Sequence, residues 1–198
     1  MKKQIETILQ TIQEKTDNIN FQKITDTFTV LAPIYAWRFG LGPIVGRYIM
    51  IITQIDHKTG NPTKTSTKFF VMNGIKYVTN LFGIQSPWYR NVLANPRVSI
   101  QTSDGTEQMV AVPISQDDEL ITIVEWLINH DPKFIADYQH EFGSQPSRTD
   151  ILLHKNDLNF LRFDPTSEPT PKGLEVDLAW IWPILLIWTI LTKPKRRK

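Results

Sequence analysis

The 198-residue sequence has no cysteine. That excludes a disulfide scaffold, thiolate metal sites, iron–sulfur clusters and cysteine nucleophiles, and it fits a cytoplasmic chain without requiring one. Histidine is nearly as scarce: His57, His130, His140 and His154 show no paired ligand spacing, so no metal site is expected. Walker and Rossmann glycine patterns are missing, and Ser144 and Ser147 stand outside any nucleophile-elbow sequence, which removes hydrolases and the common nucleotide-dependent classes. No long apolar run follows Met1-Lys2-Lys3-Gln4, so a secretory signal is not expected.

What is present is globular. Hydrophobic residues are 41% and charged residues 21% of the chain, which rules out collagen-like, coiled-coil and wholly disordered readings and leaves one ordinary core. The formal net charge of +2 is a tail effect. Five of the 22 basic residues stand in the last six positions, Lys193 to Lys198, and the remaining 192 residues carry 17 basic against 20 acidic groups. A nucleic-acid partner is therefore not expected.

Four regions follow from the patterning: an N-terminal amphipathic helix (1–27) with Ile5, Ile8, Leu9 and Ile12 at helical spacing, a barrel domain (28–164), a Pro-rich linker (165–173), and a hydrophobic, basic-ended tail (174–198). Pro33, Gly40, Gly42, Pro43 and Gly46 predict a broken helix before a buried strand at Tyr48–Gln54. A Thr-rich strand (63–71) and Ile75–Thr79 flank Asn73-Gly74, a strong hairpin signal, and Arg97–Thr102 and Met109–Ile114 flank a second turn at Ser103–Thr106. Helices are expected at Ser86–Asn95 with Pro87 in the first turn, from Asp117 through Ile128, and at Pro132–Phe142. Ile151-Leu152-Leu153 and Asn159–Phe163 read as a closing strand or strand pair. The sum is a mainly β chain, a six-stranded antiparallel barrel with inserted helices.

The tail holds fifteen uncharged residues from Leu178 to Thr192, with Trp180, Trp182 and Trp188. As a helix it spans about 22 Å, short of the roughly 30 Å hydrocarbon core. Tryptophans favour the headgroup layer and a terminal basic cluster favours anionic lipid, so the expectation is a peripheral or short anchor on the cytoplasmic side of a membrane. The competing reading packs the segment on its own barrel or across a dimer.

Two segments carry unusual local chemistry. Residues 57–68 set Lys58, Lys64 and Lys68 and several hydroxyls on a hairpin, where turn amides and ammonium groups can cradle an anion. Ser86–Pro96 places a helix start beside the aromatic pair Trp88-Tyr89. With Asn73-Gly74, Gly83 and the block Trp88-Tyr89-Arg90-Asn91-Val92-Leu93-Ala94-Asn95-Pro96-Arg97-Val98, the sequence resembles the deazaflavin-dependent nitroreductase family, split β-barrel oxidoreductases that use coenzyme F-420. The likeness runs from about Tyr35 to Phe163.

That resemblance implies where a cofactor would sit. His57, Lys58, Thr59, Thr63, Lys64 and Thr65 would hold its phosphate and oligoglutamate tail. Val78, Thr79 and Asn80 would line the deazaflavin ring, and Pro87, Trp88, Tyr89, Arg90 and Asn91 would close the site. The chemistry it implies is hydride transfer to a hydrophobic, quinone-like or nitro-type acceptor at the membrane, with FMN as the alternative cofactor, a non-catalytic membrane-associated barrel as the rival, and a homodimer as the assembly known from similar barrels. No catalytic residue is assigned. Three positions depart from the family pattern: Asp56-His57 replaces an Arg-rich turn, the loop before Trp88 is shorter, and a family tyrosine falls at Phe134, which cannot donate a proton.

Overall fold

The computed structural model describes residues 31–80 and 86–191. The N-terminal helix expected over 1–27, Gly83 with the start of the loop before Trp88, and the basic cluster at Lys193–Lys198 lie outside the described residues.

Seven strands form one antiparallel ladder in the order β2-β1-β5-β6-β7-β4-β3. They are β1 (Ile49–Ile55), β2 (Pro62–Lys68), β3 (Phe70–Met72), β4 (Ile75–Asn80), β5 (Arg97–Thr102), β6 (Gly105–Pro113) and β7 (Asn159–Pro165). The strands at the two ends of this order, β2 and β3, are separated in sequence by Phe69 alone. One bent segment thus pairs with β1 through its first half and with β4 through its second, and so closes the sheet on itself. The split at Phe69 is why seven strands stand where six were expected: the Thr-rich run was read as one strand.

Turn chemistry fixes the registers. Asn73 and Gly74 take φ of 52° and 79°, the two left-handed positions of a type I′ hairpin, between β3 and β4. Ser103 and Asp104 form the two-residue loop between β5 and β6.

Helices plug and cover the barrel. The chain is helical from 31 through a π-helical turn at Trp37–Leu41, broken by Gly40 at φ 86°, into Gly42–Val45; this is α1 (31–45), the interrupted helix that Pro33, Gly40 and Pro43 announce. The others are α2 (Pro87–Ala94), α3 (Asp117–His130), α4 (Pro132–Phe142), α5 (Arg148–Leu153) and α6 (Ile181–Leu191). Strand expectation fails at Ile151-Leu152-Leu153, which lies in α5. The Ser147 side chain accepts the Asp150 N–H at 3.2 Å, capping a helix there.

Two cores lie on opposite faces of the sheet. Inside the barrel pack Met50, Ile52, Val78, Val98, Ile100, Met109, Ala111, Leu161 and Phe163, with Tyr89 and Val92 of α2. Outside, Met72, Tyr77 and Phe160 pack beneath Leu120, Ile123, Val124 and Leu127 of α3 and Phe134 and Tyr138 of α4. The two-residue period of a strand divides them: along β7, Phe160 faces out, Leu161 in and Phe163 in.

The linker expected over 165–173 begins at the last residue of β7, and residues 166–174 lie along β5. Ser99 Oγ meets Thr170 Oγ1 at 2.8 Å, Gln101 Nε2 donates to the Leu174 carbonyl at 2.9 Å, and the Leu174 N–H returns a bond to Gln101 Oε1 at 2.5 Å. A proline-rich segment cannot join a ladder, so polar side chains of the sheet supply its partners.

Gly46 sets the approach of α1 to the β5–β6 turn. A Cβ there would stand 2.5 Å from the Ser103 nitrogen and 2.7 Å from both the Gly42 oxygen and the Thr102 carbonyl carbon, all backbone. Gly46→Ala is expected to destabilise the protein by about 1–3 kcal/mol, read as a lower urea midpoint with an unchanged slope.

Candidate functional site

The turn after β1 and the helix α2 meet through one buried side chain. Asn91, 3% exposed, accepts the His57 backbone N–H at 3.1 Å and His57 Nδ1–H at 2.6 Å on Oδ1, and its Nδ2 donates to Asp56 at 3.4 Å. Asp56 folds the turn: its Oδ1 accepts the Lys58 N–H at 3.1 Å, the Thr59 N–H at 2.8 Å and the Thr59 hydroxyl at 2.9 Å. These bonds, the Thr59 amide first, hold its carboxyl below the ordinary aspartate range. The fold thus brings His57, Lys58 and Thr59 together with Asn91.

This geometry corrects the anion cradle in one respect. The amides of residues 57, 58 and 59 are not free, and the Gly60 N–H donates to the Asp56 carbonyl at 2.8 Å. An anion at this turn would be held by side chains. The ammonium groups of Lys58, Lys64 and Lys68 make no ion pair among the described residues, and all three are exposed.

Strand alternation separates residues that the sequence lines up. In the β1–β2 ladder Gln54 stands opposite Thr63 and Ile52 opposite Thr65, on the barrel's inner face; Thr53 stands opposite Lys64, on the outer face. Lys64 lines a 530 Å³ cavity with Tyr35, Arg38 and Lys172. Likewise Val78 is wholly buried in the barrel core while Thr79 faces the outer layer. Asn80 pairs with Asn159 in the ladder. Of the helix residues, Tyr89 is a core side chain whose burial pushes its phenol up, Trp88 packs edge-on against it at 5.7 Å, and Pro87 and Arg90 are exposed.

A second cavity, of 370 Å³, opens between the sheet and α3–α4. Thr79, Phe69, Phe70, Trp126, Leu127 and Phe134 form much of its wall, and Arg47, Tyr48, Lys68, His130, Asp131, Lys133 and Asp137 supply its polar rim. Phe134 is 4% exposed. Tyr138, one turn on, offers no substitute hydroxyl: it is fully buried and donates to Asp150 Oδ2 at 2.6 Å. Burial and this bond push the phenol well up, and the same bond, with that from Ser144 at 2.8 Å, holds the Asp150 carboxyl down.

A carboxyl depressed in the folded state contributes stability above its unfolded pKa, about 3.9, and loses it as pH falls through the folded value. Tyr138→Phe is therefore expected to lower the urea midpoint at pH 7, with the gap from wild type narrowing below about pH 4.

Sequence reasoning missed Gln54, 2% exposed, and the aromatic wall of the second cavity. Gln54 had a signal, a polar residue ending an otherwise apolar strand. The fit to a deazaflavin is favourable. Among the described residues four buried polar atoms on these strands have no protein partner, Gln54 Oε1 and Thr63 Oγ1 on the inner face and Thr53 Oγ1 and Thr79 Oγ1 on the outer. A tricyclic ring edged with carbonyl and N–H groups needs such partners beside aromatic walls, and a phosphate-glutamate tail needs unpaired ammonium groups.

A model of the family described as F420H(2)-dependent quinone reductase matches residues 40–146, just over half of the chain. No curated protein matches. Among solved structures, one described as a domain-swapped dimer is 19% identical, with 60% of this chain and 81% of that chain covered and a TM-score of 0.44. An F420-H2 dependent reductase (FDR-A) is 20% identical over 60% of this chain and 95% of its own, with a TM-score of 0.42. A NimC/NimA family protein from Clostridium acetobutylicum is 12% identical over 58% and 72%, with a TM-score of 0.38.

Proposed function

From the premise that the chain belongs to the F420H(2)-dependent quinone reductase family, we propose that it passes a hydride to a hydrophobic, quinone-like or nitro-type acceptor held in the 370 Å³ cavity, at the cytoplasmic face of a membrane. That it is an oxidoreductase using coenzyme F-420 follows from the family itself. When bound, the reduced deazaflavin supplies the hydride.

The observation that carries the acceptor reading is the shared wall of the second cavity. Thr79, a residue expected beside the ring, borders the same space as Phe69, Phe70, Trp126 and Phe134. An aromatic wall set inside a polar rim suits a flat hydrophobic acceptor whose polar edge stays at the rim. Thr79 Oγ1, on the cavity side of the sheet, would take a hydrogen bond from the cofactor, Lys58 and Lys64 would hold its anionic tail, and Asn91 would position the turn that carries Lys58.

Membrane association is supported by the tail. Among the described residues no helix is long and apolar enough to cross a membrane. Instead α6, of eleven residues, exposes Ile184, Ile187 and Trp188, with Trp180 and Trp182 at its start. Its approach is tied to α1: Trp182 Nε1 donates to the Phe39 carbonyl at 2.7 Å, and Arg38 grips Asp177 through two bonds of 2.8 and 2.6 Å. A fixed, exposed apolar helix followed in sequence by a basic cluster fits the plane of an anionic headgroup layer. Removal of 178–198 is expected to move the protein from the membrane pellet to the supernatant on cell fractionation; equal partitioning of the two forms rules the anchor out.

The reductase reading is tested by fluorescence titration of the purified protein with coenzyme F-420 beside FMN, then oxidation of the reduced form by menadione. Tight F-420 binding with menadione-dependent turnover is expected. Binding of FMN alone, or of F-420 without turnover for any acceptor, overturns it.

A further inference from the structure

The rim of the proposed acceptor cavity holds one imidazole, a side chain that can both give and take a proton. We infer that His130 is the catalytic proton donor to the acceptor, an inference that rests on the reductase reading. His130 closes α3 at the cavity rim, its ring stacked on Trp126 at 4.2 Å between centroids and 8° between planes. Its Nδ1 lies 2.7 Å from the Trp126 carbonyl oxygen. A carbonyl only accepts, so Nδ1 carries the hydrogen and Nε2 is the nitrogen left to gain and lose a proton. Stacking on Trp126, itself a cavity wall, and the bond to its carbonyl hold the ring in one plane against the space where a flat acceptor fits.

The other groups around the cavity are poorer donors. Phe134 has no proton to give. Arg47, Lys68 and Lys133 are cations of high basicity. Asp131 is engaged as the N-cap of α4, its Oδ1 accepting the Lys133 N–H at 3.0 Å, and Asp137 is exposed. His130 is itself exposed at the rim, and Tyr48, a phenol 74% exposed to solvent, is the rival donor that the test below separates from it. The three cations and two carboxylates flank His130 from β1's approach, β2 and α4.

The step balances. A quinone that gains a hydride, one hydrogen with two electrons, becomes the anion of its hydroquinone. The Nε2–H bond breaks as an O–H bond forms on that anion, giving the hydroquinone and neutral imidazole. Water returns a proton to Nε2, and the cofactor's oxidation releases one to water, so no further reactant is needed.

The test uses the full chain with F-420, menadione as acceptor, and pH from 5 to 9. In wild type kcat is expected to fall as pH rises, because only the protonated ring can give the proton. His130→Gln, whose amide can still donate to the Trp126 carbonyl, should lower kcat about 100-fold, leave the KM for menadione within about twofold, and abolish that pH dependence. His130→Ala should regain rate with added imidazole. A second readout needs no cofactor: in histidine-labelled protein, menadione should shift the His130 ring signals and leave those of His140 and His154 in place. Wild-type kcat and pH profile in His130→Gln overturn the inference, as does a His130 signal that saturating menadione does not move. A rate loss in Tyr48→Phe with His130→Gln unaffected assigns the proton to the phenol instead. Wild-type protein inactive with every acceptor overturns the reductase reading as well, a result distinct from an active enzyme indifferent to His130.

Discussion

Phe160→Ala is expected to destabilise the protein by about 3–5 kcal/mol, a large part of the roughly 5–15 kcal/mol that holds an ordinary domain folded. Phe160 is 1% exposed on β7, in the outer core between the sheet and α3. Its ring meets Phe70 edge-on at 6.5 Å and 86°, and Phe70 in turn stacks on Tyr77 at 5.5 Å and on Trp126 at 5.3 Å. Truncation leaves a cavity behind this stack, since the strand beneath is fixed by ladders to both β4 and β6 and cannot collapse into the space. Urea unfolding checks the result: the midpoint should drop sharply at constant slope. A loss under about 1 kcal/mol would mean the cluster is loosely packed. Phe70 and Trp126 also wall the 370 Å³ cavity proposed to hold the acceptor, so the variant that still folds should show a raised KM for menadione.

Much of this fold is legible in the sequence, wherever local chemistry is decisive. Ser86-Pro87 and Asn95-Pro96 bracket α2 because proline suits a helix's first turn and stops the helix behind it. Asn73-Gly74 specifies a type I′ turn because few other pairs take two left-handed residues in succession. Legibility ends where tertiary context decides. Ile151-Leu152-Leu153 is a short apolar run, and periodicity alone cannot tell a buried helix from a strand. The closure of the barrel rests on a bend at Phe69 that no turn residue marks.

The site was legible in outline and not in its facing. Thr63-Lys64-Thr65 and Val78-Thr79 were expected to act as blocks, yet neighbours on a strand face opposite sides, so Lys64 and Val78 part from Thr63 and Thr79. That much the two-residue period could have supplied. The acceptor cavity is different. Thr79, Trp126, His130 and Phe134 come from three elements and meet only when α3 and α4 settle on the sheet. Asp56, which reads in sequence as a negative charge facing an anionic ligand, turns its carboxylate to its own turn instead.

Asn91→Leu should weaken F-420 binding at least tenfold, about 1.4 kcal/mol, with a smaller cost in stability of about 0.5–1 kcal/mol, because the exposed His57 passes its freed groups to water. Leucine keeps the branched shape and heavy-atom count of asparagine, and α2 stays anchored in the barrel through Tyr89 and Val92. What disappears is the tie between α2 and the turn, because the His57 N–H, the His57 ring and Asp56 all lose their partner at once. The turn keeps its internal Asp56 bonds but is no longer held against the helix, and Lys58 moves with it. Asn91→Asp separates geometry from size. It restores an acceptor for His57 but sets a carboxylate against Asp56, so it should bind F-420 as weakly as the leucine variant at pH 7. Fluorescence titration reads affinity and urea unfolding reads stability in the same preparations. Full affinity in both variants would place the cofactor away from this turn; a drop in stability that matches the drop in affinity would reduce Asn91 to a folding residue.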